Sequence, residues 1–433
     1  MIEILSRVNP FRRARTTFYG WWLAGLAALV MVIGTVPLFQ GMTAWFVVLE
    51  QTFGWNRTQL SLAFSLTRVE GSIMGPISGF LIDKLGPRRM VLVGMIILGL
   101  GFVLLSRIQN LWQFYLAFVV MSSGAGLGTW MPMMTALNSW FLRRRSIAMA
   151  IAMEGFSLGG VLLVPLLVWS IDPDVIGRPG WRATAMFIGI ATMLIAFPLS
   201  RFIRNRPEDY GELPDGRARL AAVSTPTGAN ALVEESGYTW QQAIRTSAFW
   251  LITWGHACSS IVIITLMVHL GPMLTDRGMS LQTVGWVVAT MTGAAAVFTM
   301  VGGFIGDRIP IRISIAGFSA LQSVAVVVLL LANSVETALL FAVIMGIGFG
   351  ARNPLTTSIR GVYFGRRAFA SITGISMVPM NLLSMAAPLF AGIMFDLQGS
   401  YLLPFGVVAA VCFLGSGLFL FLGEPTPAPA VKQ

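Results

Sequence analysis

The sequence predicts an all-α membrane protein: 12 transmembrane helices in two pseudo-symmetric six-helix bundles. Composition, the count of long apolar runs and a segment that occurs twice all point there. Of 433 residues, 56% are hydrophobic and 11% charged, against a charged share of about 25% in ordinary soluble domains. The mean hydropathy of +0.77 leaves lipid as the solvent for most of the chain. The net charge of +11 is carried by short basic clusters between apolar runs, a pattern set by membrane topology, so no nucleic-acid partner is expected. Cys258 and Cys412 both lie inside apolar runs, which leaves neither a disulfide framework nor a metal cluster; no metal and no cofactor is expected.

Each predicted span is apolar for about 20 residues, the length a helix needs to cross some 30 Å of hydrocarbon. In the first half they fall near 20–42, 58–82, 89–106, 111–136, 146–170 and 181–200. The second half supplies 247–274, 282–306, 312–332, 337–362, 368–394 and 401–422. The first run is too long for a signal peptide and no small-residue cleavage site follows it. Residues 1–200 are therefore read as an N-terminal six-helix bundle, 201–246 as a linker, and 247–433 as a C-terminal six-helix bundle. The linker holds Pro207, Pro214 and Pro226; its end, from Tyr238 to Arg245, suits either a short amphipathic helix at the membrane surface or a disordered connector.

Lysine and arginine set the orientation. With the N-terminus inside, the inner segments hold Arg7, Arg12, Arg13, Arg15, Lys84, Arg88, Arg89, Arg143 to Arg145, Arg308, Arg312, Arg360, Arg366 and Arg367, while the outer loops hold only Arg57, Arg107, Arg178, Arg182 and Arg277. Both termini are thus expected to be cytoplasmic. The sequon at Asn56 lies outside and reads as a plain loop.

The duplicated segment is Gly124-Ala-Gly-Leu-Gly-Thr-Trp-Met-Pro132, which returns as Gly346-Ile-Gly-Phe-Gly-Ala-Arg-Asn-Pro354. A second pair, Gly79 to Lys84 and Gly303 to Arg308, keeps nearly the same offset, with Asp83 matched by Asp307. Duplicated halves are a common way to build a central transport site. Gly71, Gly75 and Gly79 recur every fourth residue, and small residues on one face let helix backbones approach and slide.

Twelve spans in two halves, with Gly-Phe-Leu-Ile-Asp-Lys-Leu-Gly-Pro-Arg-Arg at 79–89 between spans two and three, resemble the major facilitator superfamily over almost the whole chain. The Tyr19-Gly-Trp-Trp22 opening, the Trp140-Phe-Leu-Arg-Arg-Arg145 and Tyr363-Phe-Gly-Arg-Arg367 loops, and Arg206-Pro-Glu-Asp-Tyr-Gly211 are similar to the monocarboxylate transporter and oxalate:formate antiporter branch. That resemblance implies transport of small organic anions, with a proton or against a second anion. It also implies that Asp83, Arg88, Arg89, Asp307 and Arg308 form a cytoplasmic gate. Independently of the family, Asp83 suits helix N-terminal amides and an arginine, either as a latch or within an ordinary basic loop. Departures are clear: Val284 to Ile305 holds no basic residue where such relatives carry one in span eight, and the fourth-span arginine linked to proton coupling is missing between Leu116 and Gly124.

Charges inside spans are costly, about 2.5 to 3.5 kcal/mol each on insertion scales, and usually serve a pathway or a partner. Here they are Arg68 and Glu70 in span two, Glu154 in span five and Arg352 in span ten, with His256 and His269 in span seven. Arg352 takes the place of Trp130 in the first half, beside Asn353 and Pro354. It is the leading candidate for gripping a carboxylate, because guanidinium is permanently charged and bidentate. A structural ion pair with Glu154 or Glu70 is the competing expectation. Arg68, His256, Asn353 and Trp130 complete the candidate substrate site.

Glu154 is the expected proton carrier, since desolvation near mid-membrane favours the neutral acid; a helix-pairing role competes. Glu70 is the second coupling candidate, more suited to holding span two to a neighbour. A proton moving with each anion cancels the penalty that an interior-negative potential sets on anion entry, about 2.3 kcal/mol per charge per 100 mV. His269 is expected near an outer cap, with Asp276 as partner.

No Walker motif or nucleophile constellation is present, so an enzyme is not expected. The expected function is secondary active transport of small organic anions, monocarboxylates such as lactate or pyruvate, by alternating access with protons. The alternatives are an anion exchanger of the oxalate/formate type, a drug or metabolite exporter, or a nontransporting receptor or scaffold. Expected partners are the anion, protons or a counter-anion, and the lipid bilayer, with the monomer functional. Short tails suit a bacterial inner membrane.

Overall fold

The computed structural model describes residues 18–55, 57–171, 177–216 and 237–425. Arg7, Arg12, Arg13, Arg15, Asn56, Pro226 and the middle of the linker lie outside the described residues.

Helices follow the apolar runs because a backbone in lipid must satisfy its own polar groups. Spans two and three are Arg57–Leu85 and Pro87–Arg107, turning at Gly86 with φ +82°. Spans five and six are Arg145–Ile171 and Gly180–Phe202. Spans seven to twelve are Ser247–Asp276, Leu281–Gly306, Ile311–Leu330, Val335–Phe364, Phe369–Gln398 and Leu402–Leu418. Starts are written in the sequence: Asn110, Thr246, Ser280 and Ser334 each accept a backbone N–H three residues on, as N-caps should. Eleven rods among the described residues are long and apolar enough to cross a membrane; the other, Arg57–Leu85, is the one that carries Arg68 and Glu70.

Two spans differ from expectation. Span one runs Tyr19–Thr35, passes through a π turn at Val36–Gln40 and continues as Met42–Phe53, so it reaches beyond the predicted end at residue 42. Pro37 sits in that turn, where its missing N–H already interrupts the ladder. Span four is Leu111–Gly128 followed by Trp130–Trp140, broken at Thr129 with φ −121° and ψ −94°.

Contacts repeat between halves. Span one packs on span five as span seven packs on span eleven, and spans three and six pair as spans nine and twelve do. The seam is made by span two against span eleven and span five against span eight. Glycine sets its closeness: a Cβ on Gly75 would lie 3.2 Å from the Gly374 carbonyl oxygen, and one on Gly303 would lie 2.7 Å from the Ala150 Cβ. Outward faces stay apolar and uncovered, with Phe187 72%, Leu194 70% and Leu414 71% exposed on the outer spans six and twelve, so these faces meet lipid.

The end of the linker forms the short helix that one of its two readings offered, but seats it against the protein. Residues around Pro207 to Gly216 pack on the face where the chain enters span one and leaves span twelve, here termed the linker face. Trp240–Ala243 is a short helix closed by a capping box between Thr239 and Gln242. Instead of lying on a surface, it buries Ala243 and Tyr238 in the core of the C-terminal half, and Trp240 meets Phe80 of span two edge to face at 5.4 Å.

Candidate functional site

Two carboxylates at the linker face close the seam in the same way. Asp83 ends span two and accepts from the Ala370 and Ser371 amides at 3.2 and 2.8 Å and from the Ser371 hydroxyl at 2.5 Å. Asp307 follows span eight and accepts from the Ser146 and Ile147 amides at 2.8 and 3.1 Å. Each caps the N-terminus of a span from the opposite half, where unpaired amides and the helix dipole favour an anion. Burial pushes the Asp307 carboxyl upward, while its bonds to Ile147 and Ser146 pull it back. The neighbouring guanidinium groups are Arg206 for Asp83 and Arg145 for Asp307. Arg88, Arg89 and Arg308, which the resemblance grouped with these carboxylates, make other contacts. The Arg88 amide goes to the Asn205 Oδ1 at 2.9 Å, Arg89 is exposed, and Arg308 curls back over the Phe304 ring at 3.3 Å.

Around these latches the halves are stitched further. Asn138 Nδ2 donates to the Gly365 carbonyl at 3.2 Å, and the Ser146 and Ser358 hydroxyls meet at 2.9 Å. Arg366 donates to the Ser139 carbonyl at 2.7 Å and pairs with Glu208 of the linker at 2.8 Å. Asp215 caps the Leu142 and Arg143 amides at 3.1 Å each. The seam is shut on this side.

Higher in the C-terminal half sit two guanidinium groups with no carboxylate in salt-bridge reach among the described residues. Arg352 is 2% exposed. Its Nη1 donates to the Ser259 hydroxyl, and in the amide orientation that satisfies both neighbours Gln322 accepts from its Nε at 3.0 Å and donates to the Ser259 carbonyl at 3.2 Å. Those partners belong to spans seven and nine, so the guanidinium points into the interior of its own half. This corrects both sequence expectations: Arg352 is not turned to the axis between halves, and neither Glu154 nor Glu70 pairs with it. Asn353, one residue on and about 100° around the helix, is half-buried instead.

Arg360, also 2% exposed, is the residue sequence reasoning missed. Its Nε donates to the Ser376 hydroxyl at 2.8 Å, its Nη1 to the Thr356 carbonyl at 2.6 Å and its Nη2 to His256 Nδ1 at 3.0 Å. Guanidinium only donates, so Nδ1 must offer its lone pair and a neutral His256 carries its proton on Nε2. The available signal was position: Arg360 lies six residues before Arg366 inside an apolar run, about 9 Å into the membrane by helical rise.

The N-terminal half holds the acids. Glu70 accepts from the Ser122 and Ser123 hydroxyls of span four at 3.0 and 2.7 Å, which ties span two to span four. Glu154 lies on span five beside Thr299 of span eight, at the seam, and its Oε1 is buried with no hydrogen-bond partner among the described residues. Arg68 is half-buried on span two. Trp130 packs against the apolar cluster of Ile82, Met90, Met131 and Ala370. At the far end of the C-terminal half, His269 bonds the Pro388 carbonyl at 2.9 Å and the Tyr401 hydroxyl at 3.4 Å rather than Asp276.

No group of three or more metal-ligating side chains gathers among the described residues. What the arrangement offers is buried positive charge held by neutral partners in one half, an unpartnered carboxylate oxygen at the seam, and a shut face held by paired carboxylates.

Comparison with known proteins agrees with this architecture. The family profile of the Major Facilitator Superfamily matches residues 21–280 and 252–433. Among curated proteins, monocarboxylate transporter 11 of Mus musculus is 23% identical, over 95% of this chain and 89% of its own length. Monocarboxylate transporter 13 of Rattus norvegicus is 24% identical, over 93% and 89%. Among solved structures, the Escherichia coli fucose:proton symporter superposes with a TM-score of 0.67 at 12% identity, covering 93% of this chain and 99% of that one. A duplicated six-span architecture, a seam latched by equivalent carboxylates and family matches spanning both halves lead to one conclusion: the chain belongs to the major facilitator superfamily and is a multi-pass membrane transporter, not an enzyme.

Proposed function

We propose that the chain moves small organic anions, monocarboxylates such as lactate or pyruvate, with a proton travelling alongside. The carrying observation is the pair of buried guanidinium groups, Arg352 and Arg360, held among the described residues by hydroxyl, amide, carbonyl, imidazole and aromatic groups and by no carboxylate. Burying a cation without a counter-ion costs several kcal/mol, and a visiting carboxylate offsets that cost. Neutral partners fix each guanidinium without cancelling its charge. Arg360 with His256 makes the direct contact, Arg352 supplies field from behind span ten, and Arg68, Asn353 and Trp130 shape the rest of the path. The similarity to proteins named monocarboxylate transporters supports the same cargo.

Glu154 carries the proton in this reading. Its buried Oε1 lacks a hydrogen-bond partner among the described residues, so a proton there displaces no existing bond, and the seam is the surface that parts as the halves rock. Glu70, with both oxygens occupied by serines, holds span two instead. The moving units are residues 1–200 and 247–433, the linker face is cytoplasmic, and Asp83 and Asp307 latch it until the loaded carrier turns inward. The concentration of arginine at that face favours this orientation in a cell membrane.

The test is uptake of labelled lactate, pyruvate, oxalate and formate into proteoliposomes, with and without an inward proton gradient. Accumulation driven by the gradient and lost in Arg352→Gln and Arg360→Gln supports the reading. Gradient-independent counterflow would make the protein an exchanger, and unchanged uptake in both variants would remove the buried cations from the mechanism.

A further inference from the structure

We propose that the linker face carries a binding site for the phosphate of an anionic phospholipid, set across the seam between the halves. A cavity of about 470 Å³ opens there between span one, the turn joining spans four and five, and the end of span eight. Arg143 and Arg144 line it from the N-terminal half, Arg308 from the C-terminal half, with Trp21 and Phe304 as aromatic walls. All three arginines are exposed, and among the described residues none lies in a salt bridge. The one acid in the cavity, Asp307, is committed to the Ser146 and Ile147 amides, so its repulsion of an incoming anion is reduced.

The walls are fixed before any ligand arrives. Asp215 holds the Arg143 amide at 3.1 Å, and Trp21 packs on Phe141 at 4.8 Å between ring centres. Arg308 lies over Phe304 and donates to its carbonyl at 3.2 Å. A lipid fits better than a soluble phosphate because the cavity borders the apolar surface. Phe304 is 48% exposed and Trp22, next to Trp21, 56% exposed, and acyl chains cover such surface. Basic pockets between helices at the membrane boundary recognise phosphorylated headgroups in this way. Because the arginines come from both halves, a phosphate among them ties the shut face together.

Native mass spectrometry of the full chain, released from nanodiscs of phosphatidylglycerol or phosphatidylcholine, tests this, with glycerol 3-phosphate as the soluble arm. One retained phosphatidylglycerol is expected, falling at least tenfold in occupancy in the Arg144→Gln, Arg308→Gln double variant and persisting in Arg144→Lys. A charge-matched Arg201→Gln, Arg245→Gln variant, removed from the cavity, is expected to retain the lipid. Melting temperatures equal to that of the parent establish that the variants fold. Equal retention in the first double variant, equal loss in the control, no preference over phosphatidylcholine, or competition by glycerol 3-phosphate at matched concentration would each overturn the lipid assignment.

Discussion

The duplicated glycine and proline segment takes different courses in the two halves. In the first, the helix stops at Thr129 and restarts at Trp130; in the second, Val335–Phe364 runs unbroken through Pro354. The first and third glycines also face different neighbours. A Cβ on Gly124 or Gly128 would strike Leu98 or Gly94 of span three, whereas one on Gly346 or Gly350 would strike Met291, Ala294 or Ala295 of span eight. Buried charge is also unequal: Glu70 and Glu154 belong to the first half beside Arg68, while Arg352, Arg360 and His256 belong to the second. The two halves share a scaffold and a matched pair of capping carboxylates, but the second buries guanidinium groups on its span ten where the first has Trp130 and the in-span acids.

The largest effect should come from the buried arginines that have no carboxylate in reach among the described residues. Arg352→Gln and Arg360→Gln are each expected to lower anion uptake at least a hundredfold with folding kept, while Trp130→Phe in the other half changes it less than threefold. Arg360→Lys should recover only part, because an ammonium cannot hold His256 and Ser376 in one planar fork. Next, Glu154→Gln should abolish accumulation driven by a proton gradient and leave counterflow intact, whereas Glu70→Gln should keep the drive and lose about 1 kcal/mol of stability. Equal behaviour of the two variants would dissolve the distinction between the acids.

The latches should be nearly equivalent. Asp83→Asn and Asp307→Asn each remove a carboxylate from a helix N-terminus, about 1 to 2 kcal/mol, so alkylation of Ser358→Cys in a background lacking Cys258 and Cys412 should rise about tenfold in either. A much larger response to one latch would show that the seam is not symmetric. The smallest contrast is between the middle glycines. Gly348→Ala meets the Phe318 carbonyl at 2.9 Å, while Gly126→Ala has nothing within 4 Å. The first is expected to lower the melting temperature, by about 1 to 3 kcal/mol of overpacking, and the second to leave it unchanged.

The rods were legible because their signal is local. Apolar length specifies a span, and the sequence marks Asp83 and Asp307 as a matched pair at helix ends, but the amides they cap lie in the opposite half, far away in sequence. The direction of Arg352 was not legible, since rotation about the helix axis is settled by Ser259 and Gln322, which lie far away in sequence. Arg360 was grouped with loop arginines because it sits near the membrane boundary, where arginine is ordinary. His269 was assigned to Asp276 by proximity along the chain, yet tertiary packing brings Tyr401 and Pro388 to it. The break at Thr129 has no residue of its own to announce it: Pro132 leaves the Gly128 carbonyl without its helical donor, but the equivalent Pro354 does the same without a break.

The most direct measurement is the melting temperature of the purified protein titrated with lactate or pyruvate, against sodium chloride at equal ionic strength. A ligand at about 100 times its Kd stabilises the folded state by about 2.7 kcal/mol. The account predicts a rise with the monocarboxylate that disappears in the Arg352→Gln, Arg360→Gln double variant. An equal rise in that variant would contradict it.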